Sequence, residues 1–112
     1  MKRPDRLGEF EQAVLLAVIH LDDDAYGVTI RREIEARTRH DIAIGALYTA
    51  LDRLEEKGYV TSTLSAPTKE RGGRSKRHFR ITPAGGHALR TSREFLGRMW
   101  EGVTLEPRRS RA

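Results

Sequence analysis

The chain has 112 residues, 38% hydrophobic and 33% charged, which suits one domain with a modest core. It has no cysteine, which excludes disulfides, thiolate metal sites and a cysteine nucleophile and fits a reducing cytoplasm. Its net charge is +5, and residues 69–80 alone hold six Lys or Arg against one acid, while basic and acidic residues balance elsewhere. So concentrated a patch suits a polyanion, although a solvated charged loop would look the same. The opening segment MKRPDRLGEFEQ mixes acids with its basic residues and is not expected to be a secretory signal. The longest apolar run, residues 13–19, is too short to span a bilayer, so no membrane association is expected.

Leu7, Phe10, Val14, Val18 and Leu21 recur at helical spacing and predict a first helix. Leu15, Leu16 and Ile19 widen its stripe until the second half is apolar nearly all round, a pattern of burial on more than one side. Asp22, Asp23 and Asp24 end the helix, and one of them is expected to cap the next. That second helix is predicted over 25–38, with Tyr26, Ile30 and Ile34 facing inward. After a short turn the segment IGALYTALDRLEEKGYV predicts a third helix with Ile44, Leu47, Leu51 and Leu54 as its buried stripe. Gly58 should close it in the left-handed conformation. Its other face starts with Gly45, Ala46 and Thr49 and continues to Asp52 and Arg53, with Tyr48 on the flank. An ordinary solvent face would carry Glu and Lys there. This one is small and lightly polar where the helix begins, as if something large had to approach.

Three helices on short turns are helix-turn-helix organisation. Residues 59–66 and 75–82 then read as strands around a basic turn marked by Pro67 and Gly72-Gly73, forming a β-hairpin. Thr82-Pro83 is a strong helix start, with Thr as N-cap and Pro in the first turn. The helix from 83 to about 101 carries Leu89, Ser92, Leu96 and Met99 at alternating steps of three and four, continuing to Val103 and broadened by Ala88, Phe95 and Trp100. A small hairpin domain does not need that much further apolar surface. With the over-apolar first helix, it points to a homodimer interface through Leu7, Phe10, Val14, Leu89, Leu96, Met99 and Val103. The fold class is therefore mainly α (α+β): a winged helix-turn-helix with a two-stranded β wing and an added C-terminal dimerisation helix. The expected boundaries are 1–82, 83–103 and a disordered polar tail at 104–112.

The words AYGVTIRREIE, IGALYTALDRLEEKGYV, GGRSKRHFRIT and TPAG, in that order, resemble the PadR family of bacterial transcriptional regulators over about residues 7 to 101. A single helix after the hairpin looks like the family's short branch. Many members carry proline before the G-x-L-Y word and after its tyrosine, where this chain has Ile44 and Thr49. The resemblance implies a homodimeric repressor on a roughly palindromic operator. It also implies an effector response, because some short members bind flat aromatic molecules between their C-terminal helices. Phe95 and Trp100 are then candidates for the wall of such a small-molecule site, against the simpler reading that both are interface core.

A helix of this kind fits the major groove of double-stranded DNA, with its N-terminal residues at the base edges. Gly45 and Ala46 would permit close approach, Thr49 would meet a base or a thymine methyl, Tyr48 a phosphate, and Arg53 a guanine or the backbone. Lys69, Arg71, Arg74, Lys76 and Arg77 of the wing would lie along the adjacent phosphates or in the minor groove. An enzyme is not expected. Ser92, His87 and Glu94 share one helix without triad geometry, and GGRSK lacks the spacing of a phosphate-binding loop. No cofactor or metal is expected, since His20 beside the three aspartates reads as a cap and turn rather than a metal site. The rival function is a winged-helix protein-interaction module whose hairpin binds an acidic partner.

Overall fold

The computed structural model describes residues 6–65 and 76–106. Four helices and a hairpin follow in the order α1 (Glu9–Leu21), α2 (Gly27–Thr38), α3 (Ile44–Glu56), β1 (Val60–Leu64), β2 (Arg77–Ile81) and α4 (Pro83–Trp100). A 3-10 turn, Asp22–Asp24, joins α1 to α2. The turn expected at Pro67 to Gly73, the wing cations Lys69, Arg71 and Arg74, and tail residues 107–112 lie outside the described residues.

The aspartates do not cap α2 with a side chain. Asp22 instead takes a positive φ of 51° as α1 ends, and the three residues coil into the 3-10 turn. Thr29 does the capping: its hydroxyl accepts from the Tyr26 amide at 2.9 Å and lies against the Asp24 carbonyl. Leu15, Val14 and Val18 of α1, Ile30 and Ile34 of α2, and Leu47, Leu51 and Leu54 of α3 fill one core. Ile44 is not part of it. It opens α3 at 40% exposure, and the buried stripe begins one turn later at Leu47, with Ala50 beside it.

The exit of α3 follows its sequence closely. Gly58 has φ +80°, its amide donates to the Glu55 carbonyl at 3.0 Å, and the Tyr59 amide donates to the Leu54 carbonyl at 2.9 Å. This pair of bonds satisfies carbonyls that the helix end would leave bare. The chain then enters β1, which pairs antiparallel with β2 in the register Val60↔Ile81, Ser62↔Phe79 and Leu64↔Arg77. Val60 and Phe79 point into the core, whereas Leu64 is exposed.

Thr82 begins α4 as expected, accepting from the Gly85 amide at 3.0 Å while its own hydroxyl donates to the Gly58 carbonyl at 2.6 Å. Gly85 is required for packing. A Cβ there would stand 2.2 Å from the Tyr59 carbonyl oxygen. Gly85, Ala88 and Ser92 are the buried residues of α4, and the Ser92 hydroxyl accepts from the Leu7 amide at 3.4 Å. The Arg6 guanidinium lies 3.9 Å above the Phe95 ring. Beyond Ser92 the helix is uncovered, and Leu96, Met99 and Trp100 are all about half exposed or more. The helix ends at Trp100, so Val103 lies past it, after Gly102 at φ +75°.

Candidate nucleic-acid interface

The outer face of α3 is laid out as the sequence implied. Gly45, Ala46, Thr49, Asp52 and Arg53 are exposed, and so are Ile44 and Tyr48. A Cβ on Gly45 would meet nothing within 4 Å, so packing within the chain does not explain this glycine. No side chain caps the first turn of α3, whose N-cap is Ala43.

Several interactions that the sequence did not reveal hold α3 in place. Glu35 of α2 accepts from the Ile42 amide at 2.8 Å and pairs with Arg31 at 3.4 Å, fixing the turn that leads into α3. The Ile42 amide holds the Glu35 carboxyl below its ordinary range, partial burial opposes this, and Arg31 adds to the lowering. On the other side, the Tyr48 hydroxyl sits over Gly27 at the start of α2, closer than any side chain at residue 27 would allow.

The hairpin base is joined to both helices. The Phe79 amide donates to the Ala25 carbonyl at 2.9 Å, and Tyr26 forms a backbone bridge with His78. Their rings stack with centroids 4.5 Å apart, and the Lys76 ammonium lies 4.5 Å from the Tyr26 centroid. A cleft of about 530 Å³ lies between Tyr48, the start of α2 and the hairpin base. Arg32, Lys76 and Arg77 stand on its walls, with Asp24 as the one acid.

Arg77, read from sequence as a wing cation, is occupied within the chain. It reaches Glu55 at 2.5 Å, the Ser62 hydroxyl at 3.2 Å and Asp52 at 3.6 Å, while Ser62 donates to Glu55 at 2.7 Å. In this network one guanidinium is shared between two acids of α3, Glu55 at hydrogen-bond distance and Asp52 farther off. Arg53 has no ion-pair partner among the described residues.

The residues expected at a dimer interface separate into two sets. Leu7 and Val14 lie in the core of their own chain at 6% and 0% exposure, and Phe10 and Leu89 pack against that core. Leu96, Met99 and Val103 are exposed. The uncovered apolar residues of α1 are Leu16 and Ile19, which in the sequence do no more than widen the stripe. Leu16, Leu96 and Trp100 face one groove of about 500 Å³ between α1 and α4. Among the described residues no three His, Cys, Asp or Glu side chains gather at one point, and no helix is long and apolar enough to cross a membrane. His20 faces Arg37 at 3.3 Å.

The family model described as Transcriptional regulator PadR-like family matches residues 15–91. The chain is a PadR-like transcriptional regulator. This PadR-like chain is 34% identical over 91 residues to Transcriptional regulator Rv3488 of Mycobacterium tuberculosis (strain ATCC 25618 / H37Rv), a match covering 79% of the chain and 80% of that relative. Its fold is similar to that of a transcriptional regulator from Clostridium thermocellum, Cth-833, with a TM-score of 0.68 and 26% identity over 81% of this chain and 85% of that one. The PadR-like regulator BC4206 from Bacillus cereus strain ATCC 14579 superposes with a TM-score of 0.66 over 82% of this chain and 84% of its own. Its identity is 18%, and the likeness concerns the fold.

Proposed function

We propose that this PadR-like regulator is a sequence-specific, cytoplasmic DNA-binding repressor that works as a homodimer on a palindromic operator. The observation that carries the reading is the outer face of the first two turns of α3, exposed and rich in small residues, beside a cleft on whose walls Arg32 and Lys76 stand. In this reading α3 enters the major groove, Tyr48 and the cleft hold phosphates, and the wing follows the backbone. Residues 1–82 form the DNA-binding unit. The C-terminal segment 83–103 brings two copies together, through Leu16 and Ile19 of α1 with Leu96, Met99 and Trp100 of α4. Two recognition helices would then lie about 34 Å apart, one turn of B-DNA. A flat aromatic effector between the C-terminal helices would meet Phe95 and Trp100. It would act by favouring one spacing of the α3 helices over another.

The test is fluorescence anisotropy of the full chain on duplex from its own upstream region and on a scrambled duplex, over a salt series. Selective binding with a steep salt slope supports the reading. Equal, weak binding to both duplexes, with capture of an acidic protein that survives nuclease and high salt, would replace it with the protein-interaction module.

A further inference from the structure

We infer that α3 selects its half-site by apolar contact with thymine methyl groups, through Ile44, Ala46 and Thr49, rather than by bidentate hydrogen bonds to guanine or adenine. The inference rests on the reading that α3 enters the major groove. In that pose the N-terminal residues of the recognition helix reach the base edges. Each base asks for a particular side chain there: Arg or Lys for guanine, Asn or Gln for adenine, Asp or Glu for cytosine, and an apolar group for the thymine methyl.

The first six residues of α3, Ile44 to Thr49, contain no Arg, Lys, Asn, Gln, Asp or Glu, and the Thr49 hydroxyl, which can bond any base, does not choose among them. Leu47 is buried, and Tyr48 is held over Gly27. Besides Tyr48, the exposed groups are the Ile44 side chain, the Ala46 methyl, the Thr49 side chain and the open surface of Gly45. The first charged residue, Asp52, comes two turns in and faces Arg77. Arg53 follows it, farther still from the helix start. Apart from the hydroxyls of Tyr48 and Thr49, the tip of the helix therefore offers methyl and methylene groups to whatever it touches. Thymine is the one base that presents a methyl group in the major groove.

The test starts with selection of random-sequence duplexes by the full chain. Enriched duplexes are then remade with deoxyuridine in place of thymine, which removes the methyl and leaves base pairing intact. Burial of one such group is worth about fourfold in affinity, so each contacted thymine should show roughly that loss. Ile44→Ala and Thr49→Ser should shrink the thymine-over-uracil ratio without changing the salt slope, and both sites are exposed, so folding is not at stake. Arg74→Ala with Lys76→Ala should do the reverse. Enriched duplexes that bind equally well with uracil overturn the inference and leave DNA reading standing. A selection that enriches nothing overturns both.

Discussion

The phenolic oxygen of Tyr48 stands 2.1 Å from the point where a Cβ on residue 27 would lie. The start of α2 and the side of α3 are thus fitted to each other through a missing side chain. Gly27→Ala should push the Tyr48 ring away, since its tip is free to swing at 39% residue exposure. Alanine favours a helix over glycine by up to about 1 kcal/mol, so stability should change little. Affinity for duplex DNA should fall, as it should for Tyr48→Phe. Urea unfolding beside anisotropy checks this, and unchanged affinity would remove Tyr48 from the DNA-facing surface.

Arg77 separates two views of the wing. As a phosphate ligand its removal would lower the salt slope. The network with Glu55, Asp52 and Ser62 instead predicts that Arg77→Ala leaves the slope unchanged and weakens binding to all sequences, because two carboxylates on α3 are then left without their partner. The paired groups are partly exposed, so the variant should lose no more than about 1 kcal/mol of stability. By contrast, Arg74→Ala with Lys76→Ala should reduce the slope by about 0.9 for each phosphate that is no longer neutralised.

Neighbouring glycines of α4 should respond in opposite directions. Gly85→Ala forces a Cβ against the Tyr59 carbonyl and should destabilise by about 1–3 kcal/mol or more. Gly86→Ala meets nothing within 4 Å and should stabilise by up to about 1 kcal/mol. Thermal melts of the two variants decide it.

Association should depend on the outer apolar residues, not on those of the inner stripe. Ile19→Asp and Met99→Asp should yield a folded monomer by sedimentation, because both side chains are exposed within the chain. Val14→Asp should unfold it instead, since Val14 is fully buried. A dimer that persists in both surface variants would move the interface elsewhere.

The Glu35 carboxyl gives the fold an acid-sensitive joint. Its folded pKa lies below its ordinary value of 4.5, chiefly through the Ile42 amide. Its contribution is therefore fully present above that value and is lost as pH falls through the lower, folded pKa. Glu35→Gln should be less stable than the parent at neutral pH, and the difference should narrow in acid. Urea titrations at several pH values measure the gap, and a constant gap would show that the carboxylate charge does not matter.

The sequence made local features legible. Gly58 and the Thr82-Pro83 pair act within a few residues of themselves, and both appear in the fold as read. The two strands of the hairpin fall within the spans read from the sequence, whereas their register, Val60 opposite Ile81, was not legible there. What stayed hidden joins residues far apart in the chain: Gly27 with Tyr48, Tyr59 with Gly85, and Glu55 with Arg77. A glycine inside a helix reads as a weakness until its neighbour is known. Two alternatives also competed at short range. The aspartates offered a side-chain cap, and the chain used Thr29 instead.

The hairpin base is tied to α2 through Ala25 and Tyr26 and to α3 through Arg77. These ties make the helix pair and the described strands one stiff plate. A duplex lying on such a plate has to supply the bending itself, and the cost of bending differs from one base step to another. Selectivity would then extend to base pairs that no side chain reaches, set by how easily the double helix deforms.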